Sequence, residues 1–265
     1  MRERLALVPF RGTIRERSVE PYLALLRSLR SRPRVRGVLL DISSGGGESI
    51  ASMDLFLAVQ RLDRVKPVFA SIGSVGASGA YLAALGARRI FAYPESAVGS
   101  IGVVLPHIAV RGLLEKLGVS VELLHAGEHK DAFQGLRPLT DVERAKMQAI
   151  LDEGHAEFVG LVAGQRKRPV DEIRRLATGE IWTGRQALGL GLIDALADRE
   201  GALEALAAAT GVSVEKTVRV GPPRPLLDRL LNGRGPGLGG GGVVGRFQDA
   251  VEDSLLGWAG AGYRR

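Results

Sequence analysis

The chain has 265 residues, 45% of them hydrophobic, enough to fill a sizeable core in one large domain or two small ones. It has no cysteine, which excludes disulfides and thiolate metal sites, and its net charge of +7 is spread along the sequence rather than gathered with aromatics, which argues against nucleic acid as a partner. The N-terminal stretch MRERLALVPFRGTI reaches Pro9 and Arg11 before any apolar run long enough for an export signal, and the uncharged run 67–87 is too rich in Gly and Ser for a membrane span.

RLALVPF, from Arg4, reads as a strand, and SVEPYLALLRSLR as a helix capped by Ser18 with Pro21 in its first turn. RGVLLDI is a buried strand, followed by a glycine turn and the helix SIASMDLFLAVQRL; KPVFASI is a third strand leading into the helix ASGAYLAALGA. Repeated strand–helix units predict an α/β fold with a mainly parallel sheet. Beyond Arg88, RRIFAYP, SAVGSIGVV and VSVELLH read as shorter strands, with AVRGLLEKLG as a helix between the last two. Thr140 and Glu143 form a capping box for a long helix to about Gln165, and PVDEIRRLATG, WTGRQALGLGLID and DREGALEALAAATG complete a domain over 1–210. Residues 211–265 are rich in Gly, Pro and Arg and read as a linker with a short C-terminal helix, its face of Phe247, Val251, Leu255 and Trp258 docking on its own domain or a subunit neighbour.

Four stretches carry possible chemistry. In DISSGGGES the amides of Gly45, Gly46 or Gly47 can point at an oxyanion, although read alone this is a tight turn, and the Lys and Ser/Thr of a phosphate loop do not follow. In GASGAY, Ser78 lies between strand and helix as a nucleophile elbow places it, with Ala80 where the usual pattern has glycine; the same position also suits a helix cap. HAGEH, His125 to His129, matches a zinc motif by letters, but that motif needs a helix and Gly127 follows a strand pattern, so no metal is expected; His129 is open as a triad partner for Ser78. Lys130 follows a predicted strand, whereas the other five lysines fall on or beside predicted helices; alone it is an ordinary loop lysine.

Together these stretches resemble the signal peptide peptidase A family of Ser/Lys peptidases, which share the crotonase-like and Clp-protease-like fold of repeated β-β-α units. The blocks LALVPFRGTI, GVLLDISSGGG, KPVFASIGSVGASGAYLAALGA, VGSIGV, HKDAF with RPLTDVERAKMQ, and GEIWTGRQALGLGLID stand in the family's order between about Leu5 and Ala209. The resemblance implies Ser78 as nucleophile, Lys130 as general base, and the amides of Gly46 and Gly79 as the oxyanion hole, with Ser44 replacing the proline of the family's S-P-G-G turn. It further implies no cofactor, apolar peptide substrates such as signal-peptide remnants, and a homo-oligomeric ring in which Ser and Lys can come from neighbouring subunits.

The lack of charge around Ser78 suits that chemistry. A solvated lysine, with a pKa of about 10.4, is almost wholly protonated at neutral pH, and an apolar cleft free of carboxylates makes it a usable base. Expected alternatives are a crotonase-like acyl-CoA enzyme and an inactive membrane-associated scaffold. The family often carries an N-terminal membrane helix, whereas neither an export signal nor a membrane span is read in this sequence, so the expected location is cytoplasmic or peripheral at the membrane, with a membrane-anchored longer form as the alternative.

Overall fold

A computed structural model describes residues 3–222. The three apolar runs form β1 (Arg4–Arg11), β2 (Val35–Ser44) and β3 (Val68–Ala77), alternating with α1 (Glu16–Arg30), α2 (Ser49–Asp63) and α3 (Gly79–Leu85). β1 pairs in parallel with β2, and β2 with β3. Because each crossover steps across the sheet in the same direction, α1 and α2 pack side by side on one face.

Along β1 the side chains alternate: Ala6, Val8 and Phe10 join the core under these helices, and Leu5 faces the opposite side. There Leu5, Leu39, Phe69 and Phe91 are covered by Leu203 and Leu206 of α8 (Arg199–Thr210). At the far end of α1, Lys66 Nζ donates to Leu29 O and Arg32 O, both at 2.9 Å, adding a second donor to carbonyls that already accept Arg32 N–H and Val35 N–H, and ties the start of β3 to the exit of α1. Burial pushes the Lys66 pKa down.

β3 bends midway. Its first half, Phe69–Ile72, pairs with β4 (Arg89–Ala92), and its last residues, Val75–Ala77, with β5 (Ala97–Gly99). The register against β2 slips between Ile42 and Ser44, where Ile42 pairs with Ile72 and Ser44 with Gly76, so β3 carries extra residues there. After α4 (Arg111–Lys116) come α5 (Asp141–Arg166), α6 (Val170–Leu176), β6 (Ile181–Thr183), α7 (Gly184–Gly189) and β7 (Ala195–Leu196). β6 lies antiparallel on β5, and β7 parallel on β4.

Three expectations need revision. Ser18 is the third residue of α1 rather than its cap: Arg15 is the cap, its N–H donates to Ser18 Oγ at 2.9 Å, and Pro21 lies inside the helix beyond its first turn. VSVELLH is not a strand: its alternating Val119, Val121 and Leu123 pair with no sheet edge among the described residues and stay exposed. The sheet also runs past residue 210: β8 (Thr217–Arg219) pairs in parallel with β1. The predicted C-terminal helix lies outside the described residues.

Candidate active site

β3 ends at Ala77 and α3 begins at Gly79, so Ser78 makes the turn alone, at φ 51° and ψ −125°. Only Ser78, Ser100 and Lys167 combine a side chain with a positive φ among the described residues. A non-glycine residue stays in such a conformation when its surroundings force it there. Here the Ser78 N–H donates to Gly99 O at 2.7 Å, and its carbonyl accepts from Leu82 N at 3.0 Å.

Ser78 occupies the N-cap position of α3 but makes no side-chain capping bond, so its hydroxyl is not spent on the helix. Every residue of α3 is buried, and Tyr81 anchors the helix by donating from its hydroxyl to Leu192 O at 2.7 Å. Burial pushes the Tyr81 pKa up and keeps the phenol a donor.

The glycine turn after β2 packs directly on this elbow. Gly46 and Gly47 have φ of 104° and 152°, and a methyl added at Gly46 would lie 2.8 Å from Gly79 N and 2.9 Å from Ser78 Cβ. The segment after β1 straps the turn down: Ile14 N–H donates to Gly46 O at 2.8 Å, and Glu48 N–H to Ile14 O at 2.9 Å. The Gly79 N–H, first in its helix, has no intrahelical acceptor. The Gly46 N–H donates to Ser44 Oγ at 3.2 Å, so the serine stiffens by a hydrogen bond a turn where the resemblance expects a proline ring. That bond is long enough to be shared with an incoming oxyanion. The groups pressed against the elbow, from Gly46, Gly47, Ser52 and Gly99, are uncharged.

Lys130 is placed differently. It lies exposed in the turn-rich segment before α5 and makes no hydrogen bond to Ser78 within one chain. His125 and His129 share this segment rather than a helix face: His125 Nδ1 is 3.1 Å from Gly127 O, and His129 Nδ1 is 3.4 Å from Glu143 Oε1. His129 therefore engages α5, not Ser78. Among the described residues no three His, Asp or Glu side chains gather to hold a metal ion, and no helix is long and apolar enough to cross a membrane.

The fold thus joins Ser78, Gly46 and Gly79 in one place, while Lys130 makes no hydrogen bond to them among the described residues. Ser100 is a second serine held at positive φ next to this strand end, which the sequence reading passed over. It follows Gly99, the residue that accepts the Ser78 N–H, and its own N–H donates to Glu180 O at 2.7 Å. The signal was present in VGSIGV, where a serine again follows small residues at the end of a strand.

Residues 60–213 match the family model described as Peptidase family S49. A putative protease of Synechocystis sp. is 32% identical over 234 residues, covering 88% of this chain and 84% of that protein. A putative protease of Methanocaldococcus jannaschii is 37% identical over 76% of this chain and 64% of its own, and a putative signal peptide peptidase SppA of Enterococcus faecium is 31% identical over 70% and 54%. The chain therefore spans little more than half the length of some of the proteins it resembles. Among solved structures, a ClpP1 mutant from Listeria monocytogenes aligns with a TM-score of 0.50 at 15% identity, covering 74% of this chain and 94% of that one, which establishes the Clp-protease fold.

Proposed function

This chain belongs to peptidase family S49, and from that membership we propose that it is a serine endopeptidase that cleaves apolar peptides with Ser78 as nucleophile and Lys130 as general base. The observation that carries the reading is the elbow: a serine on strained backbone, its hydroxyl unused by the helix it precedes, packed against a glycine turn.

Neutral Lys130 Nζ takes the hydroxyl proton as Ser78 Oγ attacks the peptide carbonyl carbon. The negative charge gathers on the carbonyl oxygen, where the N–H groups of Gly46 and Gly79 receive it. The C–N bond then breaks, and the Lys130 ammonium returns its proton to the leaving amine. Lys130 next takes a proton from water, the hydroxide adds to the ester carbon, and collapse releases the acid as Ser78 Oγ regains its proton. Water, amine and acyl group balance without a further reactant.

Since Lys130 is exposed and unpaired with Ser78 in one chain, the base at each Ser78 comes from a neighbouring copy, whose approach also removes the lysine from water. Signal-peptide remnants have the apolar, extended character such a site would take. The test is hydrolysis of fluorogenic apolar peptides by the wild type, Ser78→Ala and Lys130→Ala. Both variants should lose turnover by about a thousandfold or more, as removal of a nucleophile or base does elsewhere. Wild-type turnover in either would overturn the dyad, and turnover of coenzyme A thioesters without peptide cleavage would point to a crotonase-like enzyme instead.

A further inference from the structure

Asp131 follows Lys130 directly, and a carboxylate so near would stabilise the ammonium that a lysine base must lose. The structure shows where that carboxylate goes. Arg137 Nε and Nη2 donate to Asp131 Oδ2 and Oδ1 at 2.7 and 2.8 Å. The same guanidinium reaches Glu143 in α5, with Nη1 to Oε2 and Nη2 to Oε1, both at 2.8 Å, and Nη1 also donates to Pro138 O at 3.1 Å. All five N–H groups of Arg137 are engaged, and all four carboxylate oxygens face it.

Glu143 is buried, and its Oε2 accepts Thr140 N–H at 2.9 Å, so one end of the clasp is fixed to the start of the longest helix. The other end of the turn is held by His107, whose Nε2 lies 3.0 Å from Ala132 O, and by Val110 N–H donating to Gly135 O at 2.8 Å. Because a carbonyl only accepts, His107 carries its proton on Nε2 there. The Arg137 fork holds the carboxyl groups of Glu143 and Asp131 below the usual carboxylate range, so both are charged wherever the enzyme works.

We propose that Arg137 is a positioning residue: it locks the Lys130 turn against α5 and occupies Asp131 and Glu143, keeping both carboxylates from pairing with the Lys130 ammonium. This rests on Lys130 being the base. The other charged or titratable groups on the turn are His125, Glu128 and His129, and the clasp commits none of them to Lys130. An arginine is required, because a lysine cannot fork to two carboxylates at once.

The test is the pH dependence of peptide hydrolysis in the full chain. Removing Arg137 frees a carboxylate beside the base, so Arg137→Ala should lower kcat about tenfold or more at neutral pH and move the rising limb of activity about one pH unit upward. Asp131→Asn added to Arg137→Ala should bring the limb back toward the wild type, which repair of a merely structural defect would not do. An unmoved limb in Arg137→Ala, or a moved limb that Asp131→Asn leaves in place, overturns the proposal while Lys130→Ala remains inactive. An active Lys130→Ala overturns the dyad itself. Should Arg137→Ala not fold, Arg137→Lys carries the same comparison.

Discussion

Ser78 holds its strained φ at a cost of about 1–3 kcal/mol, and the fold tolerates this because Gly99 O and α3 fix the backbone on both sides. A residue kept there for stability alone would be glycine, which adopts positive φ freely. Ser78→Gly should therefore raise the melting temperature by about 2–4 °C, the equivalent of about 1 kcal/mol in a domain of this size, while abolishing peptide hydrolysis. Ser78→Ala keeps the Cβ and the strain, so it should lose activity with no gain in stability. Thermal denaturation of the two variants side by side checks this, and equal melting temperatures would mean that the elbow carries no strain that glycine relieves.

At the scale of elements, the start of α5 joins a capping box to the clasp, with Thr140 and Glu143 exchanging backbone-to-side-chain bonds while Arg137 closes over Glu143. Arg137, the largest cause, and the Thr140 N–H hold the Glu143 carboxyl well below the ordinary value of about 4.3. A depressed carboxyl stabilises the fold fully above its unfolded value and loses that contribution as pH falls through its folded value. Acidification below about pH 4.3 should therefore loosen residues 125–143 ahead of the β1–β3 core, and Glu143→Gln should show the same loosening already at neutral pH. Hydrogen exchange followed across a pH series reads this directly, and uniform protection of both regions down to global unfolding would refute it. This helix and its cap were legible in the sequence because capping is local chemistry written within four residues, and the β1 to α3 alternation was legible because apolar runs end at glycine turns. What could not be read depended on distant partners. VSVELLH has the alternation of a strand but, among the described residues, no edge to pair with, β8 is too short to stand out from its Gly- and Pro-rich surroundings, and Ser18 lies three residues from the cap it supports. Ser78 and the glycine turn were identifiable by residue type, yet their contact joins the ends of β2 and β3, which lie far apart in the sequence, and no local pattern records it.

For the molecule as a whole, the segment carrying Lys130 is conspicuously uncovered. Val104 and Leu124 are 86% and 89% exposed, and Ile108, Leu113, Leu117 and Phe133 are exposed with them. Large apolar side chains this exposed are costly in water and suit a place where another chain packs. If that chain is a second copy making a head-to-tail contact, repetition closes a ring and each copy lends its Lys130 to the Ser78 of the next. Two dead variants then complement each other. In an assembly formed from equal amounts of Ser78→Ala and Lys130→Ala, about one site in four combines an intact Ser78 with an intact Lys130 from its neighbour, so activity should return to about a quarter of the wild type. If both residues of a site belonged to one subunit, every subunit would keep a lesion and the mixture would stay inactive. Coexpressing the two variants, verifying mixed assembly by mass, and measuring peptide hydrolysis separates the arrangements. Replacing Val104 and Leu124 with glutamate should reduce assembly and hydrolysis in parallel if Ser78 takes its base from the next copy.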